Sequence, residues 1–419
     1  MRFLHAADLH IDSPLRGLVR YEGAPVTRLR TATRSALERL VDTAISEHVH
    51  FVLLVGDIYD RDWQDFHAGL FFREQMVRLD RAGIKVFLVL GNHDAEGVIS
   101  RQLILPRNVT TFSSRTAQTE RLDGLSVAVH GRSFRGRIED EDLVPSYPGP
   151  VAGYFNIGLL HTSLNGRPGH DRYAPTDAAT LAAKGYDYWA LGHIHAREVV
   201  REAPRIVFPG NLQGRHANET GPKGCELVSV EAGRLEAEFI PLDVVRWNQV
   251  IVPLDGLSRL DGLGDAFRQA LDPYLIGAAD RLHAVRVILT GVTGLHGIEA
   301  SRPGTLDAAV RAAAQDVSDA DIWIEQVRVD VTTPLDRTEA AQRPDAVGEL
   351  IRLVDRIAQD PSALTALVQG EIGSLLAALP AELASGDVPR LDDPVNVLAL
   401  LRDAEATVLA RLTAAGDAP

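Results

Sequence analysis

The sequence contains almost no cysteine. Cys225 is the single cysteine in 419 residues, which excludes an intrachain disulfide and fits a reducing compartment. No apolar run reaches the ~18 residues that a membrane span needs. The first ten residues, MRFLHAADLH, lack the basic and apolar regions of a secretory signal. We therefore expect a cytoplasmic protein with no membrane segment.

Lysine is also scarce, since Lys85, Lys184 and Lys223 are the only lysines among 43 basic residues. The formal net charge of −14 argues against a simple nucleic-acid coat. The charge is uneven, however. Residues 1–246 hold 29 basic and 31 acidic residues, whereas residues 247–419 hold 14 and 26. The N-terminal part is close to neutral, and bound cations would make it positive, so nucleic acid stays open as a ligand.

Short apolar runs alternate with amphipathic stretches in the first half of the chain. FVLLVGD (51–57), KVFLVLGN (85–92) and FNIGLLH (155–161) predict buried strands. Apolar residues at helical spacing predict helices over 28–48 and 66–82, and a string of further strands follows. This order predicts an α/β fold in which helices flank a β-sandwich.

The pattern changes near residue 245. AVRVILTG (284–291) and IWIEQVRVDV (322–331) predict strands with helical stretches between them, as in a small α/β capping domain. Two apolar stripes then predict helices: Val347, Leu350, Ile351, Val354 and Ile357, and later Val397, Leu401, Ala404, Val408 and Leu412. Helix breaks are expected at Pro361, Pro380, Pro389 and Pro394. We therefore predict three parts, residues 1–245, 246–337 and 338–419.

Polar side chains follow five of the apolar runs at the point where each run ends. The clusters are Asp8-Leu9-His10, Gly56-Asp57, Gly91-Asn92-His93-Asp94, His161, and Gly192-His193-Ile194-His195. Each cluster alone is common in turns and at strand ends. Because ligands of open α/β sheets gather at the carboxyl ends of strands, all five are expected to face one crevice.

The clusters offer carboxylates, imidazoles and an amide oxygen, but no thiolate. Such donors suit Mn²⁺, Mg²⁺, Fe²⁺ or Zn²⁺. Asp8 and His10 are two residues apart, as are His193 and His195, so on extended chain each pair projects to one side. The sequence therefore predicts a metal site made by these strand ends.

The ordered set D-x-H, G-D, G-N-H-D, H and G-H-x-H resembles the signature of calcineurin-like metallophosphoesterases over residues 1–215. Within them FLHAADLHIDSPLRGL, GDIYDRDWQDFHAGLFF and PGNLQGRHANETGPKGC are similar to the SbcD-type DNA repair exonucleases, in particular their YhaO-like bacterial branch. The resemblance implies two divalent cations, Mn²⁺ first among them. One would be held by Asp8, His10, Asp57 and His195. The other would be held by Asp57, Asn92, His161 and His193.

His93 follows a predicted ligand, so we expect its side chain to face the substrate as the leaving-group acid or transition-state stabiliser. Asp94 is expected to accept backbone N–H groups and steady the loop. Some members of the family place a histidine at the position of Asp60, which leaves the role of this aspartate open. Arg215 and His216, in the loop GRHANE, are candidates for contact with the ligands or the substrate.

The resemblance implies a two-metal DNA nuclease that acts on single- or double-stranded ends with an SMC-like coiled-coil ATPase. The ATPase would dock on the C-terminal helices, and helices of the catalytic domain would form a homodimer. A phosphatase or cyclic-nucleotide phosphodiesterase is the alternative with the same site. A scaffold that binds DNA ends or an ATPase is the alternative from another class. The cap and helical tail count against a small-substrate enzyme, and the intact ligand set counts against a scaffold.

Overall fold

The computed structural model describes residues 1–13, 24–60, 66–95, 103–165, 173–368, 370, 373 and 393–416. The chain divides into two compact units. The first comprises Met1–Gln249, Gly277–Val285 and Asp319–Glu325, and the second comprises Val250–Ile276, Arg286–Ser318 and Gln326–Pro419. The predicted boundaries at 245 and 337 stay a prediction.

The described residues form strands and helices that are numbered here along the chain. The strands are β1 (Arg2–Ala6), β2 (Phe51–Val55), β3 (Lys85–Val89), β4 (Val109–Thr111), β5 (Gln118–Leu122), β6 (Val127–Gly131), β7 (Phe155–His161), β8 (Tyr188–Gly192), β9 (Glu198–Glu202), β10 (Arg205–Phe208), β11 (Gly224–Glu231), β12 (Arg234–Pro241), β13 (Val245–Pro253), β14 (Leu282–Val292) and β15 (Asp321–Thr332). The helices are α1 (Val26–Ser46), α2 (Phe66–Arg81), α3 (Ala178–Ala183), α4 (Asp261–Leu275), α5 (Leu295–Ser301), α6 (Thr305–Gln315), α7 (Arg337–Ala340), α8 (Ala346–Ala358), α9 (Pro361–Leu367) and α10 (Pro394–Gly416).

Two six-stranded sheets form the centre of the first unit, in the orders β12-β11-β1-β2-β3-β4 and β5-β6-β7-β8-β10-β9. Their inner faces share one apolar core, in which Phe3, Phe51 and Phe87 of the first sheet lie with Ile157 and Tyr188 of the second. Phe3 and Phe51 stack with ring centroids 5.0 Å apart. Burial of these aromatic side chains from both sides holds the sandwich together.

Helices cover the outer faces of both sheets. Leu37 and Leu40 of α1 and Phe72 of α2 share a core with Val52 and Leu88 of the first sheet. On the second sheet, Leu181 of α3 packs in a core with Trp189 and Leu191. The predicted fold class, a β-sandwich flanked by helices, is confirmed.

Strand direction determines where the polar clusters lie. β1, β2 and β3 are parallel, with Leu54 opposite Ala6 on one side and Leu88 on the other. β7 and β8 are also parallel, and His161 is opposite Gly192. The carboxyl ends of neighbouring parallel strands therefore lie together in each sheet.

A third sheet has the order β13-β14-β15. The strand β13 was not predicted, because VRWNQVIVP mixes polar and apolar residues without a strict alternation. Among the described residues, no helix is both long and apolar enough to cross a membrane.

The apolar stripes predicted for α8 and α10 agree with the structure to different degrees. In α8 the buried side chains include Val347, Ile351 and Val354, as predicted. Pro361 and Pro394 stand at the first positions of α9 and α10, whereas Pro380 and Pro389 lie outside the described residues.

The stripe predicted on α10 is partly wrong, since Val408 and Leu412 are exposed. The buried face of this helix includes Glu405 instead. Its carboxylate lies 2.9 Å from both Arg337 and Arg402, so ion pairs turn a charged residue inward.

Gly158 of β7 provides a test of core packing. A Cβ at this position would lie 2.4 Å from the ring of Trp189 on the neighbouring strand. Gly158→Ala should therefore lower the free energy of unfolding by about 1–3 kcal/mol, measured by urea denaturation. Gly124→Ala is the control, because a Cβ there meets nothing within 4 Å. Equal stability of the two variants would contradict the close packing of these strands.

Candidate metal centre

The five polar clusters meet at one edge of the sandwich. Two groups of three side chains could each hold a metal ion, because the ligand atoms within a group all lie within 4.8 Å of one another. One group is Asp8, His10 and His195, and the other is Asp57, His161 and His193. His10, Asp60 and His93 form a third such group. All six side chains of the first two groups except His195 are buried.

Three of the histidines are oriented by a partner on Nδ1. His10 Nδ1 lies 2.8 Å from Asp60 Oδ1, and His195 Nδ1 lies 2.7 Å from Glu219 Oε1. His161 Nδ1 lies 3.1 Å from the Val55 carbonyl oxygen. Because an acceptor on Nδ1 fixes the proton there, Nε2 of each ring is left as a metal donor.

The Nε2 atoms converge. His10 Nε2 lies 3.2 Å from His195 Nε2, and His161 Nε2 lies 3.0 Å from Asn92 Oδ1. The Asp57 carboxylate lies between the groups, with Oδ2 3.5 Å from His161 Nε2 and 3.9 Å from His10 Nε2. Nitrogen and oxygen donors that face one another at such distances fit cations placed between them.

The electrostatics of the two buried aspartates also favour cations. Burial raises the pKa of the Asp8 carboxyl, although His195 and His161 oppose the shift. Burial opposes ionisation of Asp57 as well, but His161, His10 and His93 hold the pKa of its carboxyl well below the usual range. Burying carboxylates is costly unless positive charge compensates them. The residues present therefore fit divalent cations.

The pKa of the His161 imidazole is also shifted by its surroundings. Burial opposes protonation of its imidazole, yet the Asp57 carboxylate outweighs burial and raises the pKa of His161 to about 9. A cation bound at Nε2 would displace this proton and take over the pairing with Asp57.

The backbone is strained where the clusters sit. Asp8, His10, Asp57 and His193 have positive φ angles of 52°, 42°, 51° and 104°. Residues with a Cβ seldom adopt this region, and such strain persists only where surrounding contacts hold it. One such contact is the His193 N–H, which donates to Asp8 Oδ2 at 2.9 Å.

Three glycines within the clusters, each directly before a candidate ligand, make room for the His161 ring. A Cβ on Gly56 would lie 2.2 Å from His161 Nδ1, and one on Gly91 would lie 2.3 Å from Asp57 Oδ1 and 2.9 Å from His161 Cε1. A Cβ on Gly192 would lie 2.0 Å from the Val55 carbonyl oxygen. These close approaches explain why glycine precedes Asp57, Asn92 and His193.

Asp94 ties two of the loops together. Its buried carboxylate accepts the N–H groups of Ile58 at 2.9 Å, Tyr59 at 3.1 Å and Gly91 at 3.1 Å. Burial and the nearby Asp57 charge raise the pKa of Asp94 to about 7 despite these hydrogen bonds. The carboxylate therefore connects the loops that follow β2 and β3.

The remaining predicted side chains occupy the rim of the centre. His93 Nδ1 lies 3.2 Å from Asp60 Oδ1, and Arg215 Nη1 lies 3.6 Å from the same oxygen. His216 lies further out, with a half-exposed ring whose Nε2 is 3.6 Å from Glu219 Oε1.

Glu219 and Lys223 were not predicted. Glu219 holds His195 Nδ1, and the Lys223 ammonium donates to the His195 carbonyl oxygen at 2.8 Å. Both stand in the segment PGNLQGRHANETGPKGC that carried part of the family resemblance. A polar loop of this kind beside a predicted site is the signal that could have identified them.

The comparisons with known proteins agree with this geometry. The family of calcineurin-like phosphoesterases matches residues 1–197, and the middle domain of metallophosphoesterase YhaO matches residues 247–332. The uncharacterized metallophosphoesterase YhaO of Bacillus subtilis (strain 168) is 34% identical over 338 residues, which cover 80% of this chain and 82% of that protein.

More distant similarity exists to two archaeal proteins named DNA double-strand break repair protein Mre11. The protein of Methanopyrus kandleri is 24% identical over 60% of this chain and 59% of its own length. That of Thermoplasma acidophilum is 23% identical over 81% of this chain and 86% of its own length.

The chain belongs to the calcineurin-like metallophosphoesterases of the YhaO type. Membership of this family makes it a metal-dependent phosphoester hydrolase.

Asp57 provides a direct test of the metal centre. Because its carboxylate lies between the two ligand groups, Asp57→Ala should reduce bound metal from about two ions per chain to fewer than one, measured by elemental analysis after loading with Mn²⁺. Asp123→Ala, at an exposed carboxylate, is the control and should keep the wild-type metal content. Wild-type content in Asp57→Ala would contradict the shared position of this residue.

Proposed function

We propose that the protein is a Mn²⁺-dependent DNA nuclease. The observation that carries the proposal is the extent of the similarity to Mre11. The alignment with the Thermoplasma protein runs over 361 residues, so it continues well beyond the catalytic family match at residues 1–197. A similarity confined to the hydrolytic fold would leave the phosphoester substrate open, because one fold hosts many functions. A similarity that continues into the following domain supports the DNA substrate that the name of these relatives gives.

The metal ligands are proposed as two sets that share Asp57. Asp8, His10, Asp57 and His195 would hold one cation, and Asp57, Asn92, His161 and His193 would hold the other. When bound, two divalent cations lower the pKa of water and polarise a phosphodiester oxygen. The carboxylate, imidazole and amide donors suit Mn²⁺, with Mg²⁺, Fe²⁺ and Zn²⁺ as competitors in metal trials.

His93 is the proposed acid for the leaving oxygen. Its side chain is 24% exposed, a little more than the 20% of His195 and far more than the almost fully buried His10 and His161, so this imidazole is open to a substrate. The backbone N–H of His93 donates to Asp57 Oδ1 at 3.0 Å, which fixes the loop beside the proposed metal ligands. Asp60 Oδ1 lies 3.2 Å from the ring Nδ1, and Nε2 is on the other side of the ring, 4.0 Å from Asp57 Oδ2.

His93→Ala should retain bound metal and lose about 10²- to 10⁴-fold in the rate of DNA hydrolysis, because it removes the proton donor but no ligand. The measurement uses end-labelled single- and double-stranded DNA with Mn²⁺ and, separately, Mg²⁺. His67→Ala, at an exposed position of α2, is the control.

Two outcomes would contradict parts of this proposal. An active His93→Ala enzyme would remove His93 from the mechanism. A wild-type enzyme that hydrolyses bis-p-nitrophenyl phosphate but no DNA would favour the smaller phosphoesters.

We propose further that the C-terminal helices dock on the coiled coil of an SMC-like ATPase. Support comes from α10, where Leu400, Val408 and Leu412 are 45%, 42% and 37% exposed. At about 100° per residue, the three side chains spread over roughly a third of the helix circumference. Such an apolar strip matches the way in which helices pack on coiled coils.

Changing Leu400 and Val408 to Glu should weaken capture of the partner's coiled coil by at least about tenfold, because each apolar side chain contributes about 1.5–3 kcal/mol when buried. Biolayer interferometry with the immobilised coiled coil measures the affinity. Asp403→Ala, at an exposed polar position of the same helix, is the control. Unchanged capture by the double variant would place the partner elsewhere.

A further inference from the structure

We infer that Arg215 is a positioning residue that sets the geometry of two metal-facing histidines through two carboxylates. The inference rests on the proposed metal centre and deepens it. Arg215 Nη1 lies 3.6 Å from Asp60 Oδ1, and Nη2 lies 3.1 Å from Glu219 Oε1. Asp60 holds Nδ1 of His10 and Glu219 holds Nδ1 of His195. One guanidinium therefore bridges the partners of both rings.

The two histidines belong to the same group of ligands. His10 and His195 share the cluster with Asp8, and their Nε2 atoms are 3.2 Å apart. Their angle to each other depends on where Asp60 and Glu219 stand, because each carboxylate fixes one ring through Nδ1. A planar guanidinium has donors in a rigid fork, so it can hold two carboxylates at a defined spacing. An ammonium group supplies the same charge without that spacing.

Burial makes the bridge effective. The side chains of Arg215, Asp60 and Glu219 are 16%, 13% and 8% exposed, so water screens their charges little. Each carboxylate also pairs with one histidine ring, Asp60 with His10 at 2.8 Å and Glu219 with His195 at 2.7 Å, so the guanidinium and the imidazoles contact the same two groups. Without Arg215 the Asp60 and Glu219 carboxylates would lose the cationic group that contacts both of them.

The loop that carries Arg215 is itself anchored. The backbone N–H of Arg215 donates to Glu219 Oε2 at 2.7 Å, and Asn211 Nδ2 donates to the same oxygen at 2.9 Å. The Trp247 indole N–H of β13 donates to the Gly214 carbonyl oxygen at 3.0 Å, and a Cβ on Gly214 would lie 2.9 Å from that indole. The guanidinium thus starts from a fixed backbone and is not a mobile surface arginine.

A direct contact with the substrate phosphate is the competing role for Arg215. Both terminal nitrogens already face carboxylates, and Nη2 also lies 3.2 Å from His195 Nδ1. A phosphate contact would have to replace these ion pairs. The two roles differ in what they change: a positioning residue alters metal affinity and kcat, whereas a phosphate ligand alters KM.

The test compares Arg215→Gln, Arg215→Lys and Arg205→Gln with the wild-type protein. Arg205 is a buried arginine paired with Glu202 and Glu226 away from the metal centre, so its loss controls for removal of a buried charge. Mn²⁺ binding to the metal-free proteins is measured by calorimetry and by the electron paramagnetic resonance spectrum of bound Mn²⁺. The kinetic constants for bis-p-nitrophenyl phosphate and the melting temperatures are measured on the same samples.

We expect Arg215→Gln to weaken Mn²⁺ binding by about 10- to 100-fold at one of the two sites and to lower kcat with KM unchanged. Arg215→Lys should recover only part of the lost affinity, and Arg205→Gln should bind both ions as the wild type does. Unchanged Mn²⁺ affinity with a raised KM would overturn the inference, as would full recovery by lysine or an equal loss in Arg205→Gln. None of these readouts uses DNA, so a failure of the proposed nuclease function would be seen separately.

Discussion

The imidazole of His161 lies where the carboxyl ends of strands from the two sheets meet, and the arrangement of the site depends on this ring. It extends from β7 of the second sheet to the Val55 carbonyl oxygen of β2 in the first. Gly56, Gly91 and Gly192 each lie too close to this ring, or to the groups it contacts, for a side chain. The strand ends of the two sheets can come this close because glycine occupies all three of these positions. The candidate metal ligands that follow those glycines, Asp57, Asn92 and His193, can then approach one another.

The strands and the loops contribute differently to the orientation of the candidate ligands. The strands deliver the donor residues, and the loops decide which atom of each residue faces inward. Asp60, Glu219 and the Val55 carbonyl oxygen each occupy Nδ1 of a histidine, so the inward atom is Nε2 in all three cases. Fixed tautomers of this kind reduce the reorganisation that metal binding requires. The strained φ angles at Asp8, His10 and Asp57 show where the chain departs from its preferred conformations to allow this.

Much of the fold and the candidate site could be predicted from the sequence, for reasons that also mark where prediction fails. Residues such as His161 and His193 follow continuous apolar runs, and buried parallel strands leave few ways to arrange their ends. Glu219 does not follow an apolar run. Its contact with His195 depends on a loop conformation to which hydrogen bonds from Asn211 and Trp247 contribute. The inward face of α10 was misjudged for a similar reason. Periodicity counts apolar residues, whereas the ion pairs of Glu405 with Arg337 and Arg402 are tertiary contacts.

The strands beyond the catalytic family match have a consequence for how this protein can be divided. β11 pairs with β1 along four residues, and β1 carries the Asp8 cluster at its end. A fragment that stops at residue 197 would leave β1 as an unprotected edge, open to pairing with other chains. It would also lack Glu219 and the tryptophan that braces the loop at Gly214. The segment that matches the catalytic family therefore ends before the strand that covers the edge of β1 and before the loop whose Glu219 orients His195.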